Sequence, residues 1–307
     1  LDSTVLLHLL YSLKAAGKLS ATITAVHIHH GLQAQADQWQ QHCADYAAQW
    51  HIPFLGKKVL VATDAGSSPE EAARQARYAA FAELLPAGGL LLLAHHLDDQ
   101  VETVMLNLLR GSGPRGLAGI PASRTLGQGR LARPLLAYTR EQLENYANQH
   151  DLRWVTDFSN SDQNYDRNFL RHSIVQTLKQ HWPGMPQSLG RSAQLCAEAD
   201  ALNLELAQQD YQAARGSCTN QLQLSALTAF SEARVRNLLR YWVAHNKQEL
   251  GGADIPFQAL THTVKDLIVA QADAIPVVRW GPPASRMEIR RFQGLLYLLS
   301  PMPELPE

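Results

Sequence analysis

The sequence predicts an α/β chain: a Rossmann-like parallel sheet wrapped by helices, followed by a smaller, mainly helical α+β domain. Three observations carry this reading. Strand-like and helix-like patterns alternate through the first half, as parallel sheets with crossover helices require. Residues 89–94 are short and apolar throughout, the pattern of a strand covered on both faces. After Trp182-Pro183-Gly184-Met185-Pro186 the pattern changes to long amphipathic helices and then closely spaced strands. A length of 307 residues suits about two domains, which we place at 1–186 and 187–300, with a linker or tail over 301–307.

The elements follow in order. Leu1-Asp2-Ser3 runs straight into apolar residues at helical spacing: Val5, Leu6, Leu9, Leu10 and Leu13. Asp or Ser at a helix start caps free N–H groups, and the same helix end attracts phosphate. The pattern expects a strand and a glycine pair ahead of this helix, so the sequence reads as truncated at its N-terminus. Residues 22–28 read as a buried strand, and 33–51 as a helix with Trp39, Cys43, Tyr46, Ala47 and Trp50 recurring. Residues 54–61 suggest a strand. Ser68-Pro69-Glu70-Glu71 has the cap, the proline and the acid of a helix start, and the helix runs to about 85. Residues 98–109 read as a helix, and Thr139-Arg140-Glu141-Gln142 as the start of another. In the second domain we expect helices over 188–212, 224–245 and 256–270, then strands over 275–280, 286–291 and 295–299.

Composition narrows the class. A hydrophobic share of 46% and a charged share of 18% describe a soluble globular protein. The net charge of −1 is silent on nucleic acid, but the charge is unevenly distributed. Between Thr103 and Arg140 lie Arg110, Arg115, Arg124, Arg130 and Arg133, with no acid among them. That suits a phosphate surface; the plain alternative is a solvated loop. Cys43, Cys196 and Cys218 form no C-x-x-C, which argues against zinc, an iron–sulfur cluster or a redox pair and fits a reduced, cytoplasmic setting. The apolar run 84–94 is too short to span a bilayer, and no signal peptide is visible.

Four segments could carry chemistry. Val26-His27-Ile28-His29-His30-Gly31 ends a strand with histidines and a turn-permitting glycine, suited to nucleotide contact or to a structural turn. His95-His96-Leu97-Asp98-Asp99-Gln100-Val101-Glu102-Thr103 is the densest polar cluster and opens a helix. On that helix Asp98 shares a face with Glu102, and Asp99 with Thr103. Capping is one use of such acids; holding magnesium beside phosphates, or a cationic substrate, is another. Arg110-Gly111-Ser112-Gly113-Pro114-Arg115 is a basic, glycine-rich loop that either stops the helix or offers a guanidinium to phosphate. Asp157-Phe158-Ser159-Asn160 and Arg167-Asn168-Phe169-Leu170-Arg171 suit a capped turn, an active-site wall or an RNA contact.

Taken in order, these segments, with Ala73-Arg74-Gln75-Ala76-Arg77-Tyr78 and Arg133-Pro134-Leu135-Leu136, resemble the N-type ATP pyrophosphatase (PP-loop) family and within it the tRNA(Ile)-lysidine synthetases. Of that family's Ser-Gly-Gly-x-Asp-Ser loop only Leu1-Asp2-Ser3 is present, and its last, tRNA-binding domain has no counterpart here. The resemblance implies a cytoplasmic ligase using ATP and magnesium. Such an enzyme adenylates the wobble cytidine of isoleucine tRNA with a CAU anticodon, releasing pyrophosphate. It then lets the ε-amine of L-lysine displace AMP. Carried onto this sequence, the resemblance implies catalytic roles for Asp2, Asp98, Asp99 and Arg110. It implies nucleotide contacts from Asp2, Ser3, His27, His29, His96, Arg110 and Gly111. Substrate or tRNA contacts fall to Arg74, Arg77, Arg115, Arg133, Asp157, Asn160, Arg167, Asn168 and Arg171, and magnesium to Asp98 and Asp99. It implies no membrane and no obligate protein partner, and leaves a homodimer open. A thiolase of the same fold would need catalytic cysteines, commonly C-x-x-C; an amidotransferase-linked synthetase would need a glutaminase region. A tRNA-binding module without catalysis is the alternative from another class, and ATP–pyrophosphate exchange separates the two.

Overall fold

A computed structural model describes residues 1–29, 36–60, 69–155, 166–268 and 276–300. It divides into two compact units, Leu1–Cys196 and Ala197–Glu307.

The first unit opens with α1 (Asp2–Ala15), β1 (Ala25–His29), α2 (Ala36–Gln49), β2 (Phe54–Lys58) and α3 (Pro69–Leu84). It continues with β3 (Leu90–Leu92), α4 (Leu97–Leu109), α5 (Pro114–Leu117), β4 (Ser123–Leu126), β5 (Gly129–Ala132) and α6 (Arg140–Gln149). It closes with α7 (Asp166–Phe169), a π turn over Leu170–Ile174, α8 (Val175–His181) and the first part of α9 (Met185–Ala214). The parallel pairing expected from the alternating pattern is present: β1 runs parallel to β2 from Ala25 opposite Phe54, and β3 runs parallel to β5 from Leu90 opposite Arg130.

The hairpin β4–β5 was not anticipated. Its two-residue loop, Gly127-Gln128, places Leu126 opposite Gly129, and Gly127 has φ +53°. A left-handed residue in so short a loop matches the twist of the flanking strands. Gly129 is required for a different reason: a Cβ there would sit 2.4 Å from the carbonyl oxygen of Gly89, so only glycine lets β5 pair this closely with the start of β3.

Two apolar clusters hold this unit. Val5 and Leu6 of α1 pack with Leu135 and with Leu143 and Ala147 of α6. Ile28 of β1, Ala80 and Phe81 of α3, Leu126 and Leu131 form the other. Each fully buried side chain of this size contributes roughly 1.5–3 kcal/mol of hydrophobic stabilisation. The start of α6 matches its sequence signature: Gln142 N–H donates to Thr139 Oγ1 at 3.3 Å, and Thr139 N–H donates to Gln142 Oε1 at 2.8 Å. Gly111, just beyond α4, has φ +70° and its N–H bonds the Leu108 carbonyl, so it terminates the helix.

The second unit holds the rest of α9, then β6 (Gln221–Gln223), α10 (Leu224–Leu227), α11 (Glu232–Leu250), α12 (Phe257–His262) and a π turn over Thr263–Ile268. β7 (Val277–Trp280), a 3-10 turn (Pro283–Ser285), β8 (Met287–Phe292) and β9 (Leu295–Leu299) follow. The four strands form an antiparallel sheet in the order β6-β9-β8-β7. Its core gathers Leu222, Leu238, Leu239, Trp242, Leu260, Ile289, Leu296 and Leu298, all fully buried. The single helix expected over 224–245 is two: α10 ends, and Ser231 caps α11 by accepting from Arg234 N–H at 3.4 Å. Among the described residues no helix is long and apolar enough to cross a membrane.

Candidate active site

The short strand β3 ends at Leu92, and the chain leaves it through His95 and His96 into α4. The carboxyl end of a parallel strand meeting a helix N-terminus is where α/β sheets place ligands. Here it carries a cluster of ionised side chains.

His96 caps α4 in the backbone sense, its N–H donating to Asp99 Oδ2 at 3.0 Å. Its buried ring is surrounded by carboxylates: Asp2 Oδ2 at 3.8 Å, Asp98 Oδ2 at 3.6 Å and Asp99 Oδ2 at 3.6 Å. Burial alone would lower the His96 pKa; contact with Asp98 and the charges of Asp99 and Asp2 outweigh it and raise the pKa above 6.5. Asp98 behaves oppositely to a simply buried acid. Burial raises its pKa, but His96, Lys179 and the Arg140 N–H together hold the carboxyl far below the ordinary carboxylate range. Lys179 Nζ from α8 bonds Oδ1, and Arg140 N–H at the start of α6 bonds Oδ2 at 2.7 Å. Asp98 therefore ties α4 to α6 and α8.

Glu102 turns a different way. It is 1% exposed and lies under two guanidiniums. Arg167 donates Nε–H to it at 2.7 Å, and Arg171 donates from Nε at 2.6 Å and from Nη2 at 3.0 Å. Arg167 also donates to Asp99 Oδ1 at 3.0 Å. Glu102 thus shares its partners with Asp99, one position short of a turn away, and not with Asp98 as the four-residue spacing suggested. Three-residue spacing also makes helix neighbours. The π turn begins between Arg167 and Arg171, a local widening often found where side chains must be re-aimed at a site.

The other expected residues divide by place. Asp2 lies in the cluster, and its Oδ1 is buried with no hydrogen-bond partner among the described residues. It does not cap α1; its carboxylate is directed at His96 instead. Ser3 is exposed beside it. His27 is partly buried, its pKa lowered by burial and then by the charges of His29 and Arg77. His29 is buried against Asp37 Oδ1 at 3.1 Å, which Lys58 also holds at 3.1 Å. Arg110 is exposed, 3.8 Å from exposed Asp166. Arg74, Arg77 and Arg115 are exposed, and Asn168 is partly buried between Arg167 and the π turn. Asp157 and Asn160 lie outside the described residues.

One expectation needs correction. Arg133 is not a surface cation. It is 6% exposed and donates to three neutral acceptors: His95 Nδ1 at 3.1 Å, the Pro121 carbonyl at 2.7 Å and the Tyr78 hydroxyl at 3.1 Å. Each oxygen of Asp98 and Asp99 already accepts one hydrogen bond, from Lys179 and Arg140 for Asp98 and from Arg167 and His96 for Asp99, so a magnesium ion there would share them with these donors. Among the described residues no group of three or more His, Cys, Asp and Glu is arranged to hold a metal ion. No role is assigned from sequence to Glu102, Lys179, His95 or Tyr78, although His95 and Glu102 lie in the polar segment 95–103 and Tyr78 in the segment 73–78; Lys179 alone has no signal.

The loop after α4 is positioned from the same helix. Gln100 donates to the Ala118 carbonyl at 3.2 Å and accepts from Ile120 N–H at 2.6 Å, while Asn107 donates to the Gly116 carbonyl at 2.7 Å. These bonds set the path of the arginine-bearing segment beside the cluster.

Comparison with known proteins matches both parts of the chain to described families. Residues 1–178 match the PP-loop domain family, and residues 222–297 match the TilS substrate binding domain. The chain is 48% identical over 299 residues to the tRNA(Ile)-lysidine synthase of Alkalilimnicola ehrlichii, covering 97% of this chain and 64% of that protein. It is 43% identical to the enzyme of that name from Pectobacterium atrosepticum, covering 100% of this chain and 67% of the relative. For Escherichia coli O157:H7 the identity is 42%, with 97% and 66% covered. The chain thus spans about two thirds of the length of these curated relatives. Among solved structures, the U34-tRNA thiolase NcsA from Methanococcus maripaludis with its 4Fe-4S cluster matches with a TM-score of 0.51 at 18% identity, covering 64% of this chain and 69% of that one. That likeness is one of fold, and Cys43, Cys196 and Cys218 are all free thiols. The chain belongs to the PP-loop family and, within it, to the tRNA(Ile)-lysidine synthase family.

Proposed function

We propose that the protein ligates L-lysine to the wobble cytidine of isoleucine tRNA with a CAU anticodon, through a tRNA adenylate made from ATP. The observation that carries this reading is the cluster at the start of α4, where Asp2, Asp98, Asp99 and Glu102 meet His96, Arg167, Arg171 and Lys179. Adenylation puts negative charge on a leaving pyrophosphate, and lysine transfer brings a cationic amine to the same place. A site with fixed charges of both signs serves both steps.

The N-terminus of α1 offers unpaired backbone N–H groups to phosphate. Arg110, exposed at the far end of α4 beside Asp166, is a guanidinium for a more distant phosphate of the bound substrate. Asp2 is the carboxylate whose buried Oδ1 lacks a partner, so Asp2 and the phosphate oxygens are the donors that fit magnesium. Magnesium, when bound, neutralises charge building on the pyrophosphate. Asp99 lies beside Arg167 and 3.6 Å from the His96 ring, and its charge draws in the lysine ammonium. Lysine must lose that proton before it attacks, and the carboxylate face receives it. Arg74, Arg77 and Arg115 are exposed and suit RNA phosphates; Asp157 and Asn160 remain proposed substrate contacts. A tRNA substrate suits a cytoplasmic protein.

The test is incorporation of labelled lysine into unmodified isoleucine tRNA by the full-length protein, with ATP and magnesium. Incorporation must depend on ATP and release AMP. ATP–pyrophosphate exchange without any lysine transfer would assign the site to a different nucleophile.

A further inference from the structure

Arg133 is a buried cation whose three hydrogen bonds all go to neutral acceptors. Burying a charge this way is costly unless it fixes something. The carbonyl of Pro121 and the hydroxyl of Tyr78 hold two corners of the guanidinium, and its Nε–H is aimed at His95 Nδ1. A guanidinium donates only and does not lose its proton in proteins. His95 Nδ1 must therefore present a lone pair, and a neutral imidazole of that kind carries its proton on Nε2.

The geometry points to Arg133 as a positioning residue: it holds His95 as a neutral imidazole protonated on Nε2, and that N–H donates a hydrogen bond to an oxygen of the bound nucleotide substrate. The tautomer follows from the hydrogen bond alone; the donor role rests on the function proposed above. The His95 ring is partly exposed, on the connection between β3 and α4, and feels the charges of Asp99, Arg167 and His96, which puts it at the border of the cluster. Burial lowers its pKa to about 4; Arg133, Arg167 and His96 push the same way, and Asp99 opposes them. A neutral donor serves an oxygen that gains charge during adenylation without adding another cation beside Arg167 and Arg171. Tyr78 steadies the far side, with Arg124 at 4.7 Å and Arg74 at 5.7 Å from its ring centroid.

Nitrogen-15 NMR of the histidine-labelled full-length protein at neutral pH reads the tautomer directly, with His95 assigned by its loss in His95→Gln. The expected signals are a protonated Nε2 and an unprotonated Nδ1, replaced by an averaged pair in Arg133→Met and partly restored in Arg133→Lys. Rates of adenylation read the donor. A glutamine amide can stand where Nε2–H stands, whereas an asparagine amide stands nearer Nδ1. His95→Gln should stay within about tenfold of wild type, and His95→Asn should lose about a hundredfold or more, the size of a lost oxyanion donor. If Arg133→Met fails to fold, the wild-type spectrum and the His95 pair still decide. A wild-type ring protonated on Nδ1 or on both nitrogens overturns the proposal, as do equal rates for folded His95→Gln and His95→Asn. A normal tautomer in a protein that adenylates tRNA but transfers no lysine contradicts the proposed function and leaves this arrangement standing.

Discussion

Glu102 shows what a single residue does in this site. It is buried, ionised side chains surround it, and two arginines converge on its two oxygens. Removing its charge leaves both guanidiniums short of an anion, and breaking a buried pair of this kind costs about 3–5 kcal/mol. Glu102→Gln should lower the urea midpoint accordingly; an unchanged midpoint would mean the arginines are satisfied elsewhere. The titrating groups give a second prediction. His95 has a folded pKa of about 4 against 6.5 in the unfolded chain, so its contribution to stability is present above pH 6.5 and is lost as pH falls toward 4. Asp98, whose pKa is depressed from 3.8, acts likewise at lower pH. His96 has the opposite sign: its raised pKa gives stability that is full below pH 6.5 and fades as pH rises through the raised value. Melting temperature between pH 7 and pH 4.5 should therefore fall less in His95→Gln than in wild type. Parallel curves would show that His95 titrates normally.

At the scale of elements, the sequence was informative wherever the signal is local. The helix starts at Thr139 and before Asp98 were legible because a cap and its partner lie within one turn. Strands β3, β8 and β9 were legible from short apolar or alternating runs. The hairpin β4–β5 was missed because Ser-Arg-Thr-Leu and Gly-Arg-Leu-Ala are short and carry arginines at outward positions, so charge masked the alternation. The break before α11 was missed because Leu224, Leu227, Val235, Leu238 and Trp242 keep helical spacing across it, all facing one core. The site's acids were visible, but their partners were not. Arg167 reaches Glu102 across 65 residues and Lys179 reaches Asp98 across 81, and no local pattern reports such contacts. The same helix also governs the loop that follows it. Gln100→Ala removes both bonds that hold Ala118 and Ile120, so hydrogen exchange should quicken across 111–122 while the amides of α6 stay protected. Unchanged exchange in that loop would place its control elsewhere.

In the whole molecule the α/β class and the mixed second unit correspond to two matched families, one a PP-loop domain and one a TilS substrate binding domain. Arginines and a lysine from other elements pair with the α4 acids, while Asp2 Oδ1 is buried without a partner among the described residues. The proposed reaction joins lysine to a cytidine. Unmodified isoleucine tRNA should be incubated with the full-length protein, ATP, magnesium and lysine, digested to nucleosides and weighed by mass spectrometry. One cytidine per tRNA should be heavier by one lysine residue, that is by lysine less one water, at the wobble position only and only with ATP present. A sulfur-bearing nucleoside, or unmodified cytidine after AMP has been released, would contradict it.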